Sequence, residues 1–211
     1  MTTEPERIRP ALQARSQATQ QRILDVVDSL VREGRFDSAT ISDITRKAKC
    51  SVGAFYGRFS DKDAALLSFY SRRCDALESL VLETLSRSRD TSLRELVHEL
   101  IDVLVNHSIE YREFLRAFQS RFTSGDTGFL ARTRKMNTRL IDALTKALEL
   151  RVDELKHPDP KAAALFTFAI IGGITRDGIL HSGRIVEGKT SLTGFMTELE
   201  RAVLGYLGCR I

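Results

Sequence analysis

The chain has 211 residues, of which 42% are hydrophobic and 28% charged, an ordinary globular composition with room for one or two domains and a packed core. Disorder is excluded on that balance, and three dispersed thiols (Cys50, Cys74, Cys209) without C-x-x-C spacing argue against a disulfide framework or a zinc cluster. The net charge of +4 is uneven: through Arg73 there are 13 basic and 9 acidic residues, and from Cys74 onward 19 of each, which suggests a polyanion-facing module joined to a neutral one.

No proline occurs between Ala11 and His157, so long helices are favoured over strands. The first helix is expected from about Gln17 to Glu33, with Ile23, Val26, Val27, Leu30 and Val31 at helical spacing and Gly34 as a left-handed cap. Phe36 lies in a short connection and is expected to pack back on that helix. Thr40 then opens a second helix, its T-x-x-D spacing reading as a capping box, with Ile41, Ile44 and Ala48 on the buried side. After Lys49 and Cys50, Ser51 caps a short third helix expected to reach about Phe59. Helix, tight connection and helix within about 20 residues is the helix-turn-helix pattern.

A long fourth helix is expected from near Asp61 to Arg87 or Asp90. Further helices follow from Ser92 to about His107 and from Ile109 to Phe122. A polar, glycine-containing loop from Thr123 to Gly128 separates these from a helix over Phe129 to about Leu155. The H-P-D-P segment at His157–Pro160 breaks the chain. Ala162–His181 is apolar nearly all round and reads as a helix buried on more than one side, and Thr190–Leu207 closes the series. The expected fold class is therefore all-α, with about nine helices and no strand. The longest apolar stretch, Ala162–Ile174, is broken by Thr167 and is too short to span a bilayer. The amino terminus has no apolar segment of signal-peptide type. The expectation is a cytoplasmic protein without a membrane partner.

The informative segment is Thr40–Leu67, TISDITRKAKCSVGAFYGRFSDKDAALL. It resembles the heads of the tetracycline-repressor (TetR) family of bacterial transcription regulators. Thr40, Ile44, Ala48, Ser51, Gly53, Tyr56, Phe59, Lys62, Leu66 and Leu67 fall at that family's spacing, within a match covering roughly Thr19 to Leu67. The resemblance implies a flexible arm over 1–15, a three-helix DNA-binding head over 16–60, and a larger helical ligand-binding and dimerisation domain over 61–211. It implies no cofactor and no metal.

Each position has a physical reading beside that resemblance. Thr40 begins a helix whose free N–H groups can hold a phosphate. Ser51 caps the helix expected in the major groove. Gly53 and Ala54 are small enough for close approach, and Val52 and Ala54 can meet a thymine methyl. Tyr56 offers a hydroxyl to phosphate. Arg58 can reach either a guanine edge or a phosphate. For Lys62 the resemblance implies a phosphate clamp. Phe55 and Phe59 are expected in the head core. Lys49 stands where the family has a turn glycine; at φ > 0 lysine costs roughly 1 kcal/mol there, unless the turn differs. Gly57 is expected inside the third helix, lowering its stability.

For the larger domain, candidate pocket residues are Leu100, Leu104, Phe118, Phe122, Met136, Leu140, Phe166 and Ile170, each also readable as plain core. Few ionisable groups interrupt these stretches, so a small apolar or aromatic effector is expected. Dimerisation is implied on the last two long helices, with Gly172, Gly173, Phe195, Leu199 and Val203 as interface candidates. The glycines permit close helix approach, either to a second copy or within one subunit. The expected function is a homodimeric, non-enzymatic repressor released from a palindromic double-stranded operator by a small molecule. The competing reading is a helical-bundle metalloenzyme, on the Glu95-x-x-His98 and Glu154-x-x-His157 spacings.

Overall fold

Asp126, Asp159 and the hydroxyl-bearing Thr40, Ser51, Ser92 and Ser191 each start a helix by accepting a backbone N–H with the side chain, and these caps set the phase of the fold. The computed structural model describes residues 8–123, 125–181 and 191–208. Among them are nine α-helices and no strand: α1 Ile8–Arg32, α2 Ile41–Lys47, α3 Val52–Tyr56, α4 Lys62–Arg87, α5 Leu93–Glu110, α6 Arg112–Thr123, α7 Thr127–Glu149, α8 Pro160–Arg176 and α9 Leu192–Leu207. A 3-10 turn, Ser88–Asp90, follows α4, and a π-helical turn, Asp177–His181, continues α8.

The chain divides into two compact units, Met1–Arg73 and Cys74–Ile211, with the boundary inside α4. The whole formal charge excess belongs to the first unit. In that unit Ile23, Leu24, Val27, Leu30 and Val31 of α1 are buried, as are Phe36, Ile44, Ala48, Phe55, Phe59, Leu66 and Phe69. In the second, α8 packs on α5, α7 and α9, and α5 also packs on α9. Leu93, Leu96, Leu100, Ile101, Leu144, Ala163, Ala164 and Val203 are fully enclosed there.

Several boundaries differ from the sequence expectation. Helix α1 begins at Ile8 rather than near Gln17, so 8–15 are helical, while 1–7 of the expected arm lie outside the described residues. Pro10 falls in the first turn, where no backbone N–H is needed, and Ala11, Leu12, Gln13 and Ala14 favour a helix. Helix α3 stops at Tyr56, and Gly57 is its right-handed C-cap, not an interior residue. Helix α7 starts at Thr127 and ends at Glu149 rather than near Leu155.

Arg151 explains that early end. It is 5% exposed, and its guanidinium donates to the carbonyls of Ala147 (2.7 Å), Thr91 (3.0 Å), Arg89 (3.0 Å) and Ser88, so it ties the end of α7 to the α4–α5 junction. Within α8 and its π-helical continuation, Pro160–Leu180 is a 21-residue stretch long and apolar enough, by length and composition only, to cross a membrane, longer than the Ala162–Ile174 stretch read from the sequence. Here it is a packed element of the second unit.

Candidate nucleic-acid interface

The α2–turn–α3 segment is built by local bonds. Thr40 and Asp43 form a reciprocal box: the Asp43 N–H donates to Thr40 Oγ1 (3.1 Å), and the Thr40 N–H (3.1 Å) and hydroxyl (2.7 Å) donate to Asp43 Oδ2. The Thr40 hydroxyl, with its backbone N–H, holds the Asp43 carboxyl below its ordinary pKa. Both donors of Thr40 are therefore spent inside the box, so a phosphate at this end would have to meet other N–H groups of α2. Ser51 Oγ accepts from the Ala54 N–H at 3.1 Å and starts α3.

The turn between them is a Schellman cap. The Lys49 N–H donates to Arg46 O (3.2 Å) and the Cys50 N–H to Thr45 O (3.0 Å), with Lys49 at φ 51°. The condition that made lysine costly at this position is thus met. Arg22 of α1 donates to the Ala48 carbonyl (3.0 Å) and to Thr19 Oγ1 (3.1 Å), fixing the end of α2 against α1. Arg22 was not singled out by sequence reasoning, because a lone arginine on a polar helix face carries no spacing signal.

Helix α3 buries Phe55, which meets Phe59 at 5.4 Å between ring centroids, and turns the rest outward. Val52 is 44% and Tyr56 54% exposed, Ser51 and Gly53 are exposed, and Ala54 is half-buried. A Cβ added at Gly53 would meet only Ser51 Oγ, at 3.9 Å. Nothing within the head requires glycine there, so its smallness leaves room for something outside the chain.

The two cations expected to touch DNA have other partners. Arg58 donates to Ala54 O (2.6 Å), Ser16 O (3.1 Å) and Ser16 Oγ (3.0 Å), joining α1 to α3. Lys62 Nζ donates to the carbonyls of Phe36 (3.1 Å), Asp37 (2.8 Å) and Ala39 (3.1 Å), with the Phe36 ring centroid 5.0 Å away. Three donors meet three acceptors, so in this structure Lys62 closes the α1–α2 connection from within. The reason lies in the turn after α1, whose carbonyls converge on the start of α4, a geometry no spacing rule reveals. Arg58→Ala is expected to weaken binding to all duplexes alike, through loss of the α1–α3 tie. Affinities measured on a matched and a scrambled duplex check this, and loss of base preference alone would restore Arg58 as a reader.

In the second unit, Leu100, Phe118, Met136 and Leu140 of the expected pocket are buried, Leu104 and Ile170 half-buried, and the Phe122 side chain lies outside the described residues. Phe166 is 53% exposed, which corrects its assignment to a pocket wall: it falls on the outer face of α8. Phe118 instead packs between Phe114 (4.5 Å) and Phe129 (5.2 Å). Polar interior groups escaped the sequence reading. Glu78 is 8% exposed and accepts from Arg139 Nη1 at 2.9 Å, with Arg132 Nη2 at 4.0 Å from its other oxygen, which has no hydrogen-bond partner among the described residues. The hydroxyls of Thr167 and Thr175, both buried on α8, also lack one there. A charge within the apolar stripe Cys74, Val81 and Leu85 was the available signal for Glu78. An open cleft of about 370 Å³ lies elsewhere, lined by Arg87, His98, Glu99, Asp102 and Val103.

The expected dimer residues divide. Leu199 and Val203 are buried within this chain, which corrects their assignment to an interface: they are the face by which α9 meets its own unit. Phe195 is half-buried. Gly172 and Gly173 are exposed, with open space where a Cβ would be. Leu165, Phe166 and Ile174 lie exposed on the same helix. The two Glu-x-x-His pairs do not converge in the bundle. Glu95 caps α5 through Ser92, His98 Nδ1 meets Glu200 at 3.0 Å on the surface, Glu154 accepts from the Leu93 N–H at 2.8 Å, and His157 Nε2 meets the Tyr206 hydroxyl at 3.2 Å. No group of three His, Cys, Asp or Glu among the described residues could hold a metal ion.

Fold and head together define a helical helix-turn-helix protein with a larger second unit. A family model described as "Tetracyclin repressor-like, C-terminal domain" matches residues 92–207. The chain belongs to the tetracycline-repressor-like (TetR) family of transcriptional regulators.

No curated protein matches this chain. Similar solved structures include the fatty acid degradation regulator FadR from Bacillus halodurans, 14% identical with a TM-score of 0.70, covering 100% of each chain. The reduced form of E. coli NemR is 17% identical with a TM-score of 0.70, over 92% of this chain and 100% of that one. SmeT, the repressor of the Stenotrophomonas maltophilia multidrug efflux pump SmeDEF, is 24% identical with a TM-score of 0.63, over 90% of each. SmeT is also known in complex with triclosan. At these identities the likeness is one of fold.

Proposed function

We propose that this protein is a homodimeric repressor that holds a (pseudo)palindromic operator through α3 and is released by a small molecule bound in the second unit. The observation that carries the DNA reading is the outward surface of α3, where Val52 and Tyr56 stand exposed beside an open Gly53 on a head braced by Arg22, Arg58 and Lys62. Apolar side chains left in water at a braced helix, on the unit that carries the charge excess, suit thymine methyls and sugar edges, with phosphates around them. Two heads would read half-sites about 34–36 Å apart. The exposed face of α8, with Leu165, Phe166, Gly172, Gly173 and Ile174, supports pairing with a second copy.

An effector would be largely apolar or aromatic, in keeping with Leu100, Phe118, Met136 and Leu140, and would carry polar groups to meet Thr167, Thr175 or Glu78. SmeT with triclosan gives a precedent for such a molecule in a protein of this fold. The effector acts by preferring an arrangement with the wrong head spacing. Partial release takes roughly 1–3 kcal/mol of coupling and near-complete switching about 5.5 kcal/mol.

Selection of bound sequences from a random duplex library tests the DNA reading. Enrichment of a palindrome whose half-site centres are about one helical turn apart, or a multiple of it, supports it; recovery of unenriched sequence overturns it.

A further inference from the structure

Among the described residues, four have a left-handed backbone, and three of them are glycines: Gly34, Gly125 and Gly208. The fourth is Lys49, at φ 51°, in the C′ position of the Schellman cap that ends α2. Its backbone has a clear local task, since its N–H and that of Cys50 close the last carbonyls of α2. Glycine performs that task without steric penalty, because a Cβ crowds the following carbonyl when φ is positive. A strained residue persists where its side chain does something that the unstrained one would not.

That side chain is exposed, and among the described residues it makes no hydrogen bond and no ion pair. It lies in the turn two residues ahead of the Ser51 cap, beside the helix whose Val52 and Tyr56 face outward. Of its neighbours in charge, Lys47 stands exposed in the last turn of α2 and the others are engaged elsewhere. Arg46 pairs with Asp43 at 2.5 Å, Arg58 holds Ser16 and Ala54, and Lys62 holds three carbonyls. The cations that the spacing pattern offered to DNA are thus consumed in bracing the head, while an uncommitted one stands in the turn.

We propose that Lys49 is a phosphate contact of this head, taking over at the turn the positive charge that Lys62 and Arg58 spend internally. The inference rests on the DNA-binding reading above. An ammonium on a flexible four-carbon stem suits a phosphate as a point charge, without base discrimination. Lys49 therefore contributes to affinity on every sequence, and the strain of its backbone is a cost to folding alone.

Two variants of the full chain separate charge from strain. Lys49→Gln keeps the strained side chain and removes the charge; Lys49→Gly removes both. The probe is a labelled mixed-sequence DNA duplex, titrated at several salt concentrations, with thermal unfolding measured alongside. The proposal expects both variants to bind more weakly than wild type and to lower the slope of log K against log salt by about one per head. It also expects Lys49→Gly alone to unfold at a temperature higher by about 2–4 °C. If wild type binds the duplex and Lys49→Gln keeps its affinity and slope, the Lys49 contact is overturned while the DNA reading stands. If wild type binds no duplex at any salt concentration, both are overturned.

Discussion

Replacing Lys62 with methionine is expected to destabilise the amino-terminal unit by about 2 kcal/mol and to leave the salt slope of duplex binding by the folded protein unchanged. The ammonium supplies one donor to each of the Phe36, Asp37 and Ala39 carbonyls, at 3.1, 2.8 and 3.1 Å. Each such bond is charge-assisted, and methionine keeps the aliphatic stem while removing every donor. The carbonyls of Phe36 and Ala39 are only partly reachable by water, so part of the loss is uncompensated. Circular dichroism during urea unfolding measures the stability change, and duplex titration at several salt concentrations measures the slope. A stable variant whose slope falls by about one per head would return Lys62 to the phosphate role that the family pattern implies.

Substituting leucine for Gly173 is expected to dissociate the proposed dimer and lower affinity for the proposed operator by about a hundredfold or more, with the subunit still folded. Within one chain, a Cβ at Gly173 meets nothing within 4 Å, so the change introduces no internal clash. In an exposed helix interior, leucine is favoured over glycine by roughly 0.5–1 kcal/mol, and the isolated subunit gains slightly. In the pairing proposed above, a close approach by a second copy is the contact that the larger side chain obstructs. Sedimentation velocity reads the assembly, and unfolding by circular dichroism reads the fold. An undiminished dimer would move the pairing surface away from the glycine face of α8.

Helix start positions were mostly legible without coordinates, because capping is a matter of a few consecutive residues. Thr40 with Asp43 and Ser51 as the cap of α3 adopt the bonding that their spacing announces. Helix ends were less legible where a distant partner decides them. Arg151 ties the end of α7 to three carbonyls at the α4–α5 junction, some 60 positions earlier in the chain. Glu78 was hidden for a related reason: a single acid in an apolar stripe gains meaning only when Arg139 of α7 is seen at 2.9 Å.

The local code of this chain settled its all-helical class, its helix-turn-helix head and the outward position of Val52, Gly53 and Tyr56, because periodicity and caps act over a single turn of helix. Tertiary structure alone decided which charges are spent and which remain available. Lys62 and Arg58 bond to carbonyls that are remote in sequence, 23 to 26 positions away for Lys62 and, for Arg58, as far as 42. Leu199 and Val203 of α9 turn inward, and Phe166 of α8 turns outward because a helix apolar nearly all round carries no mark of which side its own subunit will cover.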